Sequence, residues 1–339
     1  MLTCVTAMLV MLSGCNEIDS PVTITKINII PESVELMVGE TIQMEVISEP
    51  VESDVPLMWT SNNPDVATVS EDGFVEAISA GDAIVTVSAG DVFAEASIKV
   101  SQPDPILGDY YYSDGTWSSE IDPEKTVIGV VFWVGDPTVN DPALKSDFPD
   151  CTHGLVVASG GDVPSYWQSQ CMSCSGNVGE WVAANIPDLI PVSSNTGLGD
   201  PLNMILGYNN TKALELYNAA PENMEWPVEV MDVVDAYRSE VPAPEVTSGW
   251  YLPSIKELSL LCSGDVEGNI YDISGETSVR DLVNGKLEAV NAVKLSASSF
   301  YWSSTENSIE YSFDIDFSDG SIYLDLKFMN DPVRCVLAF

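Results

Sequence analysis

Between residues 22 and about 101, apolar and polar residues alternate with a period of two, and no other feature of the chain restricts its fold as tightly. Ile27 and Ile29 begin the pattern, Val34, Leu36 and Val38 continue it, and Ile42, Met44 and Val46 follow, with turns rich in Gly, Pro, Asn and Asp between the runs. A strand points successive side chains to opposite faces, so each run reads as a half-buried strand. Short strands at this spacing predict an all-β sandwich. No cysteine falls in the segment, so packing alone must hold it, with Trp59 expected as the large side chain between the sheets. Gly39, Gly73 and Gly81 are expected to take turn conformations that a Cβ would strain.

The alternation stops at Gln102-Pro103-Asp104-Pro105, which places a short, stiff linker at 102–107 and a second module of different texture at 108–339. A length of 339 residues fits two or three domains, and 45% hydrophobic residues supply packed cores. Charge is lopsided, with 52 acidic residues against 12 basic ones and a formal net charge of −40. A surface this acidic repels phosphate backbones, which excludes a nucleic-acid partner. Solubility accounts for most of the acidity, and a minority of the carboxylates can serve divalent cations.

Val5 to Leu12 form an apolar run far shorter than the roughly 20 residues that cross a bilayer. The run ends in Leu12-Ser13-Gly14-Cys15, which resembles the bacterial lipobox, although no Lys or Arg precedes it as signal peptides normally require. The resemblance implies a signal peptide at 1–14, lipidation of Cys15 and a tether at 15–21. Several acyl chains on one cysteine give stable anchoring, at about 0.8 kcal/mol per buried methylene. Asn16 in place of Asp implies the outer membrane, and Glu17 and Asp19 resemble acidic stretches that send lipoproteins to the outer face. The expected location is therefore the cell surface, lipid-anchored.

In the second module, Ser254 and Glu257 have capping-box spacing after Pro253, and Ile255, Leu258, Leu261 and Cys262 share one helical face. Pro227–Val241 and Val279–Val293 are two further predicted helices. Asp319-Gly320 is a strong hairpin signal, because a type I′ turn needs positive φ at both central positions. Folding there sets Phe317 opposite Ile322, Ile315 opposite Leu324 and Phe313 opposite Leu326, so that apolar residues match. The other face then opposes Asp314 to Asp325 and Asp316 to Tyr323. Two opposed carboxylates are unfavourable unless solvated or bridged, which makes Asp314, Asp316 and Asp325 the candidate metal ligands and calcium the candidate ion. No other cofactor is expected.

The first module resembles the group 2 bacterial Ig-like domain through Val38-Gly39-Glu40-Thr41, Trp59-Thr60-Ser61-Asn62-Asn63-Pro64, Val66–Val69, Gly73–Ala77 and Gly81–Val87. The resemblance implies a spacer. The second module is similar to the Lcl C-terminal domain family over 249–339. Gly249-Trp250-Tyr251-Leu252-Pro253-Ser254-Ile255-Lys256-Glu257-Leu258, then Tyr301-Trp302-Ser303-Ser304-Thr305-Glu306, then Val333-Arg334-Cys335-Val336 carry the likeness in order. Gly108–Tyr112 and Val127–Phe132 resemble a recurrent earlier part of such proteins, and Gly176–Trp181 resembles a motif of the sulfatase-modifying-factor fold, displaced from its usual place. The implied architecture is a multidomain chain, an all-β Ig-like sandwich followed by an α+β C-type-lectin-like domain. The Lcl resemblance also implies adhesion and glycan or glycoprotein binding, and Trp302 beside Glu306 is the candidate ligand site. The lectin calcium signatures Glu-Pro-Asn and Trp-Asn-Asp are absent.

Outside the cytoplasm cysteines favour disulfides, and Cys262 with Cys335 is the expected pair, tying a helix to the last strand. Cys171 and Cys174 have the spacing of a local bridge, and no second pair completes a zinc cage. His153 is the only histidine, and no nucleophile motif, phosphate loop or H-E-x-x-H surrounds it, so no catalytic residue is assigned. The expected function is surface recognition or adhesion, with a structural subunit of a surface assembly as the alternative and an extracytoplasmic enzyme third.

Overall fold

The protein is represented by a computed structural model that describes residues 24–339 apart from 52–54, 174–175, 193–200, 265–266 and 273–274. The lipobox, Cys15 and Cys174 lie outside the described residues. Met1–Pro103 and Asp104–Phe339 are two compact units. Among the described residues no helix is long and apolar enough to cross a membrane.

The first unit contains β1 (Lys26–Ile30), β2 (Ser33–Met37), β3 (Thr41–Gln43), β4 (Glu45–Glu49), β5 (Met58–Ser61), β6 (Ala67–Val69), β7 (Phe74–Ala77), β8 (Gly81–Ala89) and β9 (Val92–Ser101). One sheet has the order β2-β9-β8-β5, a second β3-β7-β6, and β1 pairs with β4. Strand β2 runs parallel to β9, whereas β8 is antiparallel to both β9 and β5. The period-two pattern becomes the core: Ile27, Ile29, Leu36, Val75, Val85, Val87, Ile98 and Val100 are buried while their neighbours turn outward. Trp59 departs from expectation. It lies on the edge strand β5 and is half-buried, so it closes the rim while the interior is aliphatic. Its indole covers Gly73, where an added Cβ would sit 2.5 Å from the ring.

The second unit runs β10 (Tyr110–Tyr112), β11 (Trp117–Ser118), β12 (Val127–Val134), α1 (Pro142–Asp147), β13 (Gly154–Ala158), β14 (Val163–Tyr166), α2 (Val178–Asn185), α3 (Gly207–Ala219), α4 (Val230–Glu240), α5 (Ile255–Ser263), α6 (Ser278–Ala289), β15 (Phe300–Glu306), β16 (Tyr311–Asp316), β17 (Ser321–Leu326), β18 (Asn330–Val333) and β19 (Val336–Ala338). It is an α+β unit around a five-stranded sheet of order β11-β10-β12-β13-β19. Both faces of that sheet are covered. Val156, Ala158, Leu337 and Phe339 face one core, with Trp167, Trp250 and Trp302. Val130, Phe132, Leu155, Val157 and Val336 face the other, with α5, α6 and the apolar side of β16. This is why β12 and β13 read as continuous apolar runs and not as alternation.

The three helices legible as periodic patterns are present as α4, α5 and α6. Helix α5 begins at the expected capping box and stops at Gly264, which is left-handed at φ +76°. The capping-box Glu257 is fully enclosed: Tyr251 donates to its Oε1 at 2.9 Å and the Ser254 amide to its Oε2 at 2.5 Å. Burial pushes its carboxyl from an ordinary 4.5 to about 7, and the nearby Asp141 adds to the shift.

Two expectations follow. Gly73→Ala forces a left-handed residue against the Trp59 ring and should cost at least about 1–2 kcal/mol, measured by urea denaturation; an unchanged midpoint would contradict the packing. A carboxyl whose folded pKa is raised favours the folded state at low pH, fully so below pH 4.5, and that contribution is lost as pH rises through 7. Its size is on the order of 3 kcal/mol, so the melting temperature should fall between pH 5 and pH 7.5, and Glu257→Gln should flatten that fall.

Candidate functional site

The residues singled out in the sequence gather around the C-terminal hairpin. Its turn is wider than the two-residue loop expected: Asp316 pairs with Ser321 and the loop is Phe317-Ser318-Asp319-Gly320. Only Gly320 has a positive φ, +77°, and Asp319 does not. The Asp316 carboxylate accepts the Ser318 amide at 2.7 Å, and its carbonyl accepts the Gly320 amide at 2.8 Å. Phe317 is drawn out of the ladder because its ring packs on Tyr301 and its carbonyl accepts from Arg280. The observed register is therefore Ile315 to Ile322, Phe313 to Leu324 and Asp314 to Tyr323, two residues from the expected one. A slip of two keeps every side chain on its face, so matching apolar residues could not reveal it.

Trp302 and Glu306 are not presented to a ligand, which corrects their assignment as a binding site. Both are 0% exposed. The Trp302 indole donates to the Ser165 carbonyl at 3.0 Å inside the core. Glu306 sits at the end of β15 and accepts the Val178 and Gly179 amides at 3.0 and 2.8 Å, so its carboxylate caps the N-terminus of α2. Its other charge partner is Lys327, equally buried, which also lies 4.5 Å from the centre of the Trp167 ring. Trp167 in turn donates to the Ser303 carbonyl at 2.8 Å. The Gly176–Trp181 segment is the start of α2, with a capping box between Asn177 and Glu180, and its chemistry is spent on holding Glu306.

The three hallmark segments, far apart in sequence, meet in space. Tyr251 and Val336 exchange backbone hydrogen bonds of 2.8 and 3.0 Å, Ser304 donates to the Pro253 carbonyl at 2.8 Å, and the Ile255 amide donates to Thr305 at 3.1 Å. These contacts make the hallmark residues the frame of the unit.

The candidate metal set is changed in one member. Side-chain oxygens of Asp314, Asp325 and Asp331 lie within 4.8 Å of one another, whereas Asp316 is used by the turn. Asp314 is fully buried, and among the described residues neither of its oxygens nor Asp331 Oδ2 meets a hydrogen-bond donor. Burial, then the charges of Asp325 and Asp331, push the Asp314 carboxyl up to about 8, and burial with Asp325 pushes Asp331 to about 6. Asp331 precedes Pro332 on β18 and offered no pattern to single it out.

The expected Cys262–Cys335 disulfide is also corrected: both are free thiols. Cys335 lies in the core on one face of the central sheet and Cys262 in the core on the other, so the sheet separates them. Burial holds both thiols at about 12. His153 packs among Trp117 and Phe339, at 5.5 and 6.0 Å between ring centres. A groove of about 260 Å³ beside α4, β14 and β18 is mainly apolar, lined by Val163, Val233, Tyr237 and Val333, and is smaller than most small-molecule sites.

Residues 23–100 match the bacterial Ig-like domain (group 2). A Bacteroides ovatus protein provisionally named fimbrium tip subunit Fim1C is 31% identical over 241 residues, covering 62% of this chain and 41% of that protein. The chain thus spans less than half the length of that relative. Because 62% of the chain exceeds the first unit, Met1–Pro103, the likeness extends into the second. The crystal structure of a fimbrial protein from Bacteroides ovatus is similar in fold, with a TM-score of 0.57 and 20% identity, covering 94% of this chain and 71% of that one.

Replacing one partner of the buried pair leaves the other charge uncompensated, which typically costs about 3–5 kcal/mol. Lys327→Met alone should therefore destabilise the chain by that order in urea, and adding Glu306→Gln should recover part of the loss. Equal or greater loss in the double variant would show that the two charges are not coupled.

Proposed function

We propose that the chain is a structural subunit of a bacterial surface assembly of the fimbrial kind, tethered through acylated Cys15, with the Ig-like unit as spacer and the α+β unit as the assembling part. The observation that carries this reading is the 31% identity to the protein named as a fimbrium tip subunit, over 62% of this chain. Two features of the site support it. The hallmark residues are consumed as framework, so Trp302 and Glu306 offer no stacking platform to a sugar. Strand β17 is the edge of its sheet, and Leu324, Phe328 and Met329 stand exposed on or just after it. An apolar strand at the edge of its sheet suits strand addition by another protein. The C-type-lectin-like description of the α+β unit belongs to the same proposal, supported by the convergence of Tyr251, Pro253, Ser304 and Val336.

The test sets assembly against recognition. Anchored full-length protein should be recovered in sheared, high-mass surface material. Leu324→Lys with Phe328→Lys should shift it to the monomer fraction at an unchanged melting temperature, and the soluble chain should bind nothing on a glycan array. Saturable binding to one glycan class by a monomer that never enters high-mass material would overturn the proposal in favour of adhesion.

A further inference from the structure

We propose that Asp314, Asp325 and Asp331 form a calcium site that staples the β15-β16-β17 sheet to the β14–β18 pair. The three residues come from three strands and two sheets: Asp314 from β16, Asp325 from β17 and Asp331 from β18. Their side-chain oxygens converge within 4.8 Å. Convergence of acidic residues alone is common on so acidic a chain, and the decisive observation is the state of Asp314. It is 0% exposed, it points into the cluster, and both of its oxygens lack a donor among the described residues. Burying a carboxylate without hydrogen bonds is costly enough that such groups are normally paired or bound to metal.

Among the described residues, no protein cation fills the role. Lys327 is the only basic residue between 295 and 333, and it is committed to Glu306. Arg334, the next one, donates to Asp162, to the Ala158 carbonyl and to the Val293 carbonyl. The donor set is all carboxylate oxygen, which selects a hard cation, since zinc and copper sites draw on His or Cys. Asp325 Oδ1 already accepts the Leu326 amide at 2.8 Å, so that residue offers chiefly its second oxygen. Calcium accepts six to eight oxygens in flexible geometry and tolerates such a mixed set completed by water, whereas magnesium demands a near-ideal octahedron. The register adds a spectroscopic handle, because Asp314 lies opposite Trp302 on one side and Tyr323 on the other. The inference does not depend on the assembly reading, because the ligands are internal to one unit.

The test uses the full chain, stripped with EDTA and titrated with calcium alone. One tight site per chain should stand out in calorimetry above weak surface binding, and terbium in its place should show luminescence sensitised by the adjacent aromatic rings. The melting temperature should rise by roughly 5–10 °C at calcium about a hundred-fold above Kd, and EDTA should reverse the rise. Asp314→Asn and Asp331→Asn should each abolish the tight site and the rise, while both remain folded by circular dichroism in EDTA. Asp316→Asn removes the same charge from the same hairpin outside the cluster and should keep the response. Absence of a tight site in the parent chain, its survival in Asp314→Asn or Asp331→Asn, or an equal response to magnesium would overturn the proposal.

Discussion

The buried ion pair between Glu306 and Lys327 is the interaction on which the second unit's arrangement turns. It joins three pieces of the unit: the end of β15, the residue just past β17, and the first turn of α2. Two charges fully removed from water are costly, and the cost is offset because every polar atom is engaged. Glu306 takes two helix amides as well as the ammonium, and Lys327 adds Gln168 and the face of Trp167. A docking of the hairpin that separated the pair would leave a charge unpaired in the core, at a cost of about 3–5 kcal/mol.

The same economy explains why the family-like segments carry no ligand chemistry. Trp250, Trp302 and Trp167 are all fully buried, and the indole nitrogens of all three donate to backbone carbonyls. Their large apolar faces fill one side of the central sheet. Among the described residues, the exposed surface of this unit includes an edge strand and the apolar residues beyond it, on a chain of strongly acidic composition. That distribution accords with the assembly role proposed above.

Legibility followed the physics of periodicity. The Ig-like strands and helices α4 to α6 were readable because each buries one apolar stripe. Helix α3 was not, since Asn209, Asn210 and Thr211 are buried on it and spend their side chains on Ile190, Ser304 and Leu252. A buried polar face defeats a search for apolar spacing. The hairpin was readable in its faces and wrong in its register, because period two cannot distinguish slips of two. That slip still left Asp314 and Asp325 as diagonal neighbours, which is why part of the acidic cluster was foreseen and Asp331 was not. Trp302 and Glu306 stand out in the sequence, but spacing alone does not reveal that a partner such as Lys327 closes over them and keeps them from an outward role.

Native-state hydrogen exchange at Val178 and Gly179 tests the central claim most directly. First-turn amides of a helix ordinarily lack intrahelical partners and exchange quickly through local fraying. If Glu306 is the cap that locks this unit together, both amides should exchange only through global unfolding, as slowly as the amides of β13. Fast exchange at these two positions, at the rate of ordinary helix ends, would contradict the account.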